Sequence, residues 1–183
     1  MMERSIGIVE FRSIAAGISA VDAIVKASQV KILDAKTICP GKYYIIFAGM
    51  VSAVKNSMDV IESEYDDLII DSVAIPNVYP QIFEGLNAAS DVTGLKSIGI
   101  IETLTSPSII WAADAAIKAT DIDIIEIRIA RALGGKNICI INGQLSDVKE
   151  SVNTAIVYAQ DRDFLVDWQI IAAPHQDLYR VVL

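Results

Sequence analysis

Hydrophobic residues in the first part of the chain change their spacing from strand-like to helix-like and back. An apolar, β-branched run from Ile6 to Arg12 predicts a strand. Apolar residues then recur at helical spacing between Gly17 and Ala27, which predicts a helix. The same periodicities predict strands Val30 to Thr37 and Tyr43 to Phe47, a helix Ser52 to Tyr65, a strand Leu68 to Ile75 and a short helix Tyr79 to Leu86. The order β-α-β-β-α-β with a terminal helix indicates an α/β (α+β) fold with a ferredoxin-like, split βαβ layout.

The second part of the chain repeats the first. Ile6 to Glu10 returns as Ile98 to Glu102, and 10 of the 25 positions from residue 6 to residue 30 are identical at an offset of 92, where chance gives roughly two. Further along, the offset becomes 94 and pairs Gly41-Lys42 with Gly135-Lys136. The predicted elements of this copy are strand Ser97 to Thr103, helix Ile109 to Ala119, strands Ile122 to Ile129 and Asn137 to Ile141, helix Ser146 to Gln160, strand Phe164 to Ile171 and a tail helix. We therefore expect two domains, residues 1–90 and 96–183, joined by a connector over residues 88–96.

Composition and charge exclude several classes of protein. Of the 183 residues, 53% are hydrophobic and 21% are charged, a balance typical of a globular chain with a well-filled core. The formal net charge of -8 is the opposite of what nucleic acids and anionic bilayers attract. No apolar stretch reaches the 18 or more residues of a membrane helix. Residues 1–5 run into a predicted strand without the basic and apolar regions of a signal peptide, so we do not expect secretion. We expect a cytoplasmic protein that binds neither nucleic acid nor membrane.

Motifs of enzymatic catalysis are scarce. The single histidine, His175, follows Pro174 in the tail, where a surface or packing role is expected. The run Gly134-Gly135-Lys136 lacks the Gly-x-x-x-x-Gly-Lys-Ser/Thr spacing of a phosphate loop. Glu10 and Glu102 occupy equivalent strand positions, which indicates a structural role in each copy rather than an acid–base pair. We therefore do not expect an enzyme.

The two cysteines have different surroundings in the sequence. Cys139 lies in the middle of a predicted strand, where a small buried hydrophobe is expected. Cys39 lies in the turn between two strands, before Pro40 and Gly41, so its side chain is expected to be exposed. One thiolate cannot hold a metal. However, the mean hydropathy of +0.46 indicates apolar surface buried between subunits, and a threefold axis through this turn would bring three thiols together. The alternatives are an incidental loop thiol and a metal ligand, and symmetry decides between them.

The duplicated pattern Ile-Gly-Ile-x-Glu, Asp-Ala-x-x-Lys-Ala and Gly-Lys resembles the bacterial microcompartment (BMC) shell-protein domain, here in tandem and unpermuted. More narrowly, the turn around Cys39 and the Gly134-Gly135-Lys136 loop look like the propanediol-utilisation branch of tandem shell proteins. The resemblance implies a pseudohexameric homotrimer with a central pore. It implies that the pore is lined by Ile38, Cys39, Pro40, Gly41, Leu133, Gly134 and Gly135.

In that family the pore cysteine, matched here by Cys39, binds one [4Fe-4S] cluster per trimer. Three Cys39 thiolates would supply three of the four usual ligands, and Lys36 and Lys42 would lie beside the thiol and favour its thiolate. The second loop carries no thiol, and its two extra residues are expected to displace it from the axis. The resemblance therefore implies a cluster for electron transfer or cluster exchange across the shell, with a redox partner in the lumen or the cytosol.

Lys26 and Lys118 match the lysine with which shell tiles contact their neighbours, so the resemblance also implies partners among other shell proteins. For each lysine the alternative is a solvated helix side chain. Two other functions stay open at the level of the sequence. One is a passive shell tile with an open pore for small metabolites, and the other is a ferredoxin-like trimer that senses a small ligand.

Overall fold

The computed structural model describes residues 5–88, 90, 94–130 and 133–178. Every strand and helix that the periodicities predict within these residues is present, in the predicted order. In the first copy they are β1 (Ser5–Phe11), α1 (Ile14–Ala27), β2 (Val30–Ile38), β3 (Lys42–Gly49), α2 (Val51–Tyr65), a 3₁₀ turn (Asp66–Leu68), β4 (Ile69–Pro76) and α3 (Gln81–Leu86). In the second they are β5 (Ser97–Thr103), α4 (Ser106–Ala119), β6 (Ile122–Arg128), β7 (Asn137–Gly143), α5 (Leu145–Asp161) and β8 (Leu165–Ile171).

Each copy forms a four-stranded antiparallel sheet. The strand orders are β2-β3-β1-β4 and β6-β7-β5-β8, so the first strand of each copy lies inside its sheet. The registers also agree, because Ser5 pairs with Gly49 in one sheet and Ser97 pairs with Gly143 in the other. The β-α-β-β-α-β order and the α/β fold class are therefore confirmed.

The core of the first copy lies between its sheet and its helices. Val9 and Phe11 of β1, Ile24 of α1 and Ile61 of α2 are fully buried in one cluster. Gly7 lets the Phe47 ring cross β1, since a Cβ at this glycine would lie 2.3 Å from the ring. Burial of these apolar side chains is the main force that holds the helices on the sheet.

Helix α1 begins three residues before its predicted start. The Ser13 side chain accepts a hydrogen bond from the Ala16 N–H at 3.3 Å, which satisfies one of the free N–H groups of the first turn. Helix α4 also begins early, at Ser106 rather than Ile109. In both cases the apolar spacing marks the buried face of the helix and not its cap.

The described residues divide into two compact units. The first comprises residues 5–78, 105–107, 130 and 133–135, and the second comprises residues 79–88, 90, 94–104, 108–129 and 136–178. Helix α3 therefore belongs to the second unit, where Gly85 packs against Ile124 and Ile127 of the edge strand β6. The Gln81 side chain also accepts a hydrogen bond from the Ile124 N–H at 2.9 Å.

The ends predicted for the two domains stay predictions. Residues 89 and 91–93 of the 88–96 connector lie outside the described residues, and so does the tail helix beyond residue 178. Within the described residues, no helix is long and apolar enough to cross a membrane.

Candidate functional site

The Cys39 turn joins β2 to β3. Strand β2 ends at Ile38, β3 begins at Lys42, and the peptide bond between Cys39 and Pro40 is cis. Gly41 has a φ of +70°, a conformation that side-chain-bearing residues rarely adopt. The thiol of Cys39 is exposed, as the sequence indicated. The turn thus presents one cysteine to its surroundings on a backbone fixed at both ends by the β2–β3 ladder.

The second predicted pore loop packs against this turn within the first unit. The Cys39 N–H donates a hydrogen bond to the Ala130 carbonyl at 3.1 Å. Gly135 has a φ of +88°, and a Cβ at this position would lie 2.9 Å from Pro40 Cδ and 3.2 Å from the Cys39 carbonyl oxygen. Leu133 is half-buried and Gly134 is exposed, whereas residues 131–132 lie outside the described residues. The structure therefore brings together the two loops that the sequence assigned to one pore.

Both lysines near the turn pair with carboxylates. Lys36 pairs with Asp34, and the Lys42 ammonium lies 2.7 Å from Glu10 Oε1. Each lysine thus already has a carboxylate partner within the first unit. The expectation that the two lysines favour the Cys39 thiolate stays a prediction.

The Glu10 side chain links β1 to Lys42 of β3 and to Ser106 at the start of α4. These partners were not predicted from the sequence. Its side chain is fully buried and binds Lys42 through one oxygen. The other oxygen accepts hydrogen bonds from the Ser106 N–H at 2.7 Å and the Ser106 hydroxyl at 2.8 Å. Beside it, Asp71 accepts a hydrogen bond from the Thr105 hydroxyl at 2.5 Å. The only signal in the sequence was a carboxylate within an otherwise apolar strand.

Cys139 is unsuited to bind a metal. It is fully buried in β7, and this burial raises the pKa of its thiol to about 12, so the side chain stays protonated at neutral pH. In the described part of the chain, no three histidine, cysteine or carboxylate side chains lie close enough together to hold a metal ion. One chain therefore offers a single exposed thiol, and a cluster would need further copies of Cys39.

The two predicted edge lysines differ in their environment. Lys26 forms an ion pair with Asp22 on the surface of α1, and its side chain is 72% exposed. Lys118 forms the equivalent pair with Asp114 and is 38% exposed. Asp114 is buried, and it also accepts a hydrogen bond from the Tyr79 N–H at 2.8 Å. Lys26 is thus the more accessible of the two.

A family model described as the BMC domain matches residues 5–78 and again residues 97–174. The chain belongs to the BMC-domain family and carries two copies of the domain. The bacterial microcompartment shell protein PduT of Citrobacter freundii is 34% identical over 179 residues, which are 98% of this chain and 97% of that protein. The carboxysome shell protein CcmK2 of Synechococcus elongatus is 31% identical over 88 residues, which are 47% of this chain and 84% of that protein. The predicted tandem of BMC domains is therefore confirmed.

Solved structures show the same relationship. A crystal structure of a microcompartment protein from Desulfitobacterium hafniense is 42% identical and superposes with a TM-score of 0.84, covering 97% of this chain and 99% of that one. A fused permuted hexameric shell protein is 20% identical with a TM-score of 0.62, covering 86% of this chain and 84% of that one, and shows the fold alone.

Proposed function

We propose that this chain is a non-enzymatic shell protein of bacterial microcompartments in the cytoplasm, built from two unpermuted BMC domains. Three chains form a pseudohexameric homotrimer with a pore at its centre, and the pore holds one [4Fe-4S] cluster for electron transfer or cluster exchange across the shell. Family membership supports the shell role, because the relatives named above are shell proteins of microcompartments and carboxysomes.

The observation that supports an iron–sulfur cluster is the exposed Cys39 thiol on a constrained turn. The Cys39 N–H donates a hydrogen bond to the Ala130 carbonyl, and the next residue is a proline. The backbone is therefore held in place while the side chain is exposed and can bind a ligand. Cysteine thiolates are the ligands that iron–sulfur clusters use. The residues present fit such a group if three chains contribute one thiol each around an axis, and the fourth iron then takes another ligand.

When bound, the cluster supplies one-electron redox chemistry. The protein's own residues position the thiols. Gly135 lets the second loop approach Pro40 closely, and Glu10 fixes Lys42 where β3 begins. Both contacts hold the Cys39 turn in one position, which a site shared by three chains requires.

The test is the metal content of two cysteine variants prepared without oxygen. We expect the parent protein, reconstituted with iron and sulfide, to show four iron atoms per trimer, absorbance near 400 nm and a paramagnetic signal after reduction. Cys39→Ser should lose all three and stay trimeric, because a loop side chain contributes little to the core. Cys139→Ala is the matched control and should keep the cluster.

The alternative is a passive shell tile with an open pore for small metabolites. A Cys39→Ser protein that retains its iron, or a parent protein that binds none, would contradict the cluster and leave the passive tile. Without a cluster, a redox partner in the lumen or the cytosol would have no role.

A further inference from the structure

Equivalent carboxylates of the two copies have different surroundings. Glu10 and Asp71 face each other across β1 and β4 and are both buried, with Ser106 and Thr105 as hydrogen-bond donors. Their counterparts across β5 and β8 are Glu102 and Asp167. Glu102 is only half-buried and Asp167 is exposed, although Lys136 lies 2.9 Å from Glu102 just as Lys42 lies 2.7 Å from Glu10. The second copy thus has the same pair of carboxylates, already positioned but accessible.

The donor side shows the opposite asymmetry. Thr105 and Ser106, at the start of α4, are buried, while their counterparts Ser13 and Ile14, at the start of α1, are half-buried and exposed. The difference continues along the helix. Ile18 is 57% exposed and its counterpart Ile110 is 0% exposed, and Val25 is exposed whereas Ile117 is buried. Helix α1 therefore carries an uncovered apolar stripe where α4 has a covered one.

In a third pair of equivalent positions, one residue is again buried and the other exposed. Gly135 is buried, with Pro40 and the Cys39 carbonyl within 3.2 Å of its added Cβ. Its counterpart Gly41 is exposed and has no atom within 4 Å of the same position. Within the first unit, the carboxylates of the first copy thus contact the start of α4 in the second copy. The reverse pair of surfaces is exposed: the carboxylates of the second copy and the start of α1 in the first copy.

We propose that Glu102 and Asp167 of one chain dock on the start of α1 of a second copy, at Ser13 and Ile14. The contact repeats between chains the one that Glu10 and Asp71 make with Thr105 and Ser106. The Ile14 N–H lies in the first helical turn, where no intrahelical acceptor exists, and donates to Glu102. The Ser13 hydroxyl accepts from Ala16 and keeps its proton to donate to Asp167.

A second copy of this chain is the occupant that the surface fits. Both halves of the contact occur on the same chain, and the exposed stripe continues directly from the donor residues at the start of α1. Carboxylates at a helix N-terminus are also favoured by the helix dipole. Such a contact between different patches is head-to-tail and forms a ring when it closes. The inference deepens the three-chain assembly of the proposed function and rests on it for closure of the ring.

The test first replaces the donor Ser13 with a carboxylate. It then replaces the carboxylate of Asp167 with a donor, which restores a donor–acceptor pair with the two roles exchanged. In Ser13→Asp, the helix cap is kept, because aspartate caps as well as serine, but two carboxylates meet between chains. We expect the dissociation constant of the assembly to rise by roughly tenfold or more at each contact. Adding Asp167→Asn returns a donor opposite the introduced carboxylate, and the double variant should recover the trimer. Ser63→Asp, an exposed serine on α2, is the matched control.

Light scattering across a concentration series and far-ultraviolet circular dichroism give the mass and the fold of each variant. A Ser13→Asp protein as trimeric as Ser63→Asp, or a double variant that stays dissociated, would overturn the inference. Iron content separates this outcome from failure of the cluster. A parent trimer without iron contradicts the cluster alone, while a parent chain that is monomeric at micromolar concentration contradicts this interface.

Discussion

The two cysteines show how far surroundings, rather than residue type, determine chemistry. Cys39 is exposed at a turn and Cys139 is fully buried in a strand. Only the exposed thiol can reach a metal or another chain, whereas the buried one acts as a small hydrophobe. Their roles therefore predict opposite outcomes for substitution.

Cys139→Ala should cost about 1–2 kcal/mol of unfolding free energy at pH 7, because it leaves a small cavity. The difference from the parent should shrink at high pH. Burial raises the pKa of Cys139 from 9.0 to about 12, so only the unfolded thiol ionises between these values, and the parent loses stability as the pH rises through this window. By about pH 10.5 this effect should cost the parent about 2 kcal/mol, so the difference between parent and variant should vanish or change sign. Urea unfolding of iron-free protein at both pH values measures it, and a constant gap would contradict the burial argument.

Both cysteine environments could be predicted from the sequence, since they depend on local pattern. Cys139 lies within a continuous apolar run in the middle of a strand, and Cys39 precedes Pro40 and Gly41, which mark a turn. The partners of Glu10 could not be predicted. They lie about 96 residues further along the chain, at Ser106, and periodicity contains no information on contacts at that separation.

At the scale of elements, the repeat does not make the two helix–sheet contacts identical. In α1, Gly17 lies against the Tyr43 ring, and a Cβ there would be 2.4 Å from a ring carbon and 2.7 Å from the Tyr43 Cβ. The second copy has Ile109 in place of Gly17, and it is buried. The sequence predicted the helices and strands of both copies. It predicted neither the different packing at Gly17 and Ile109 nor the position of α3. Such features depend on tertiary packing, which overrides local propensity.

Gly17→Ala should therefore destabilise the protein, although alanine favours a helix over glycine by about 1 kcal/mol. The added methyl group meets the near end of Tyr43, which cannot move away freely, and overpacking of this kind costs about 1–3 kcal/mol. Chemical denaturation measures the loss. In a Tyr43→Ser background the ring is absent but the Cβ at 2.7 Å remains, so the cost of the same substitution should fall. A gain of stability in the parent background would show that the ring yields at little cost.

At the scale of the whole molecule, a shell protein needs contacts of two kinds. In the assembly proposed above, contacts among the three chains would close the ring, and contacts between rings would build the sheet. The inferred docking of Glu102 and Asp167 on α1 concerns the first kind. Lys26 concerns the second, since it is a long and largely exposed side chain at the other end of α1.

Lys26→Asp should weaken the assembly of sheets and leave the trimer intact. In the role that the family resemblance implies, the Lys26 stem would pack against a neighbouring tile while its ammonium would donate to backbone carbonyls there, and an aspartate at the same place would be repelled by those carbonyls. Within its own chain the loss is small, because an exposed ion pair such as Lys26–Asp22 contributes at most about 1 kcal/mol. Lys55→Asp, on the exposed face of α2, changes the net charge equally and serves as the control. Electron microscopy of concentrated protein should show sheets for the parent and Lys55→Asp but not for Lys26→Asp, with the mass of the trimer unchanged in all three. If Lys26→Asp forms sheets as readily as Lys55→Asp, Lys26 is an ordinary solvated helix lysine and another surface joins the tiles.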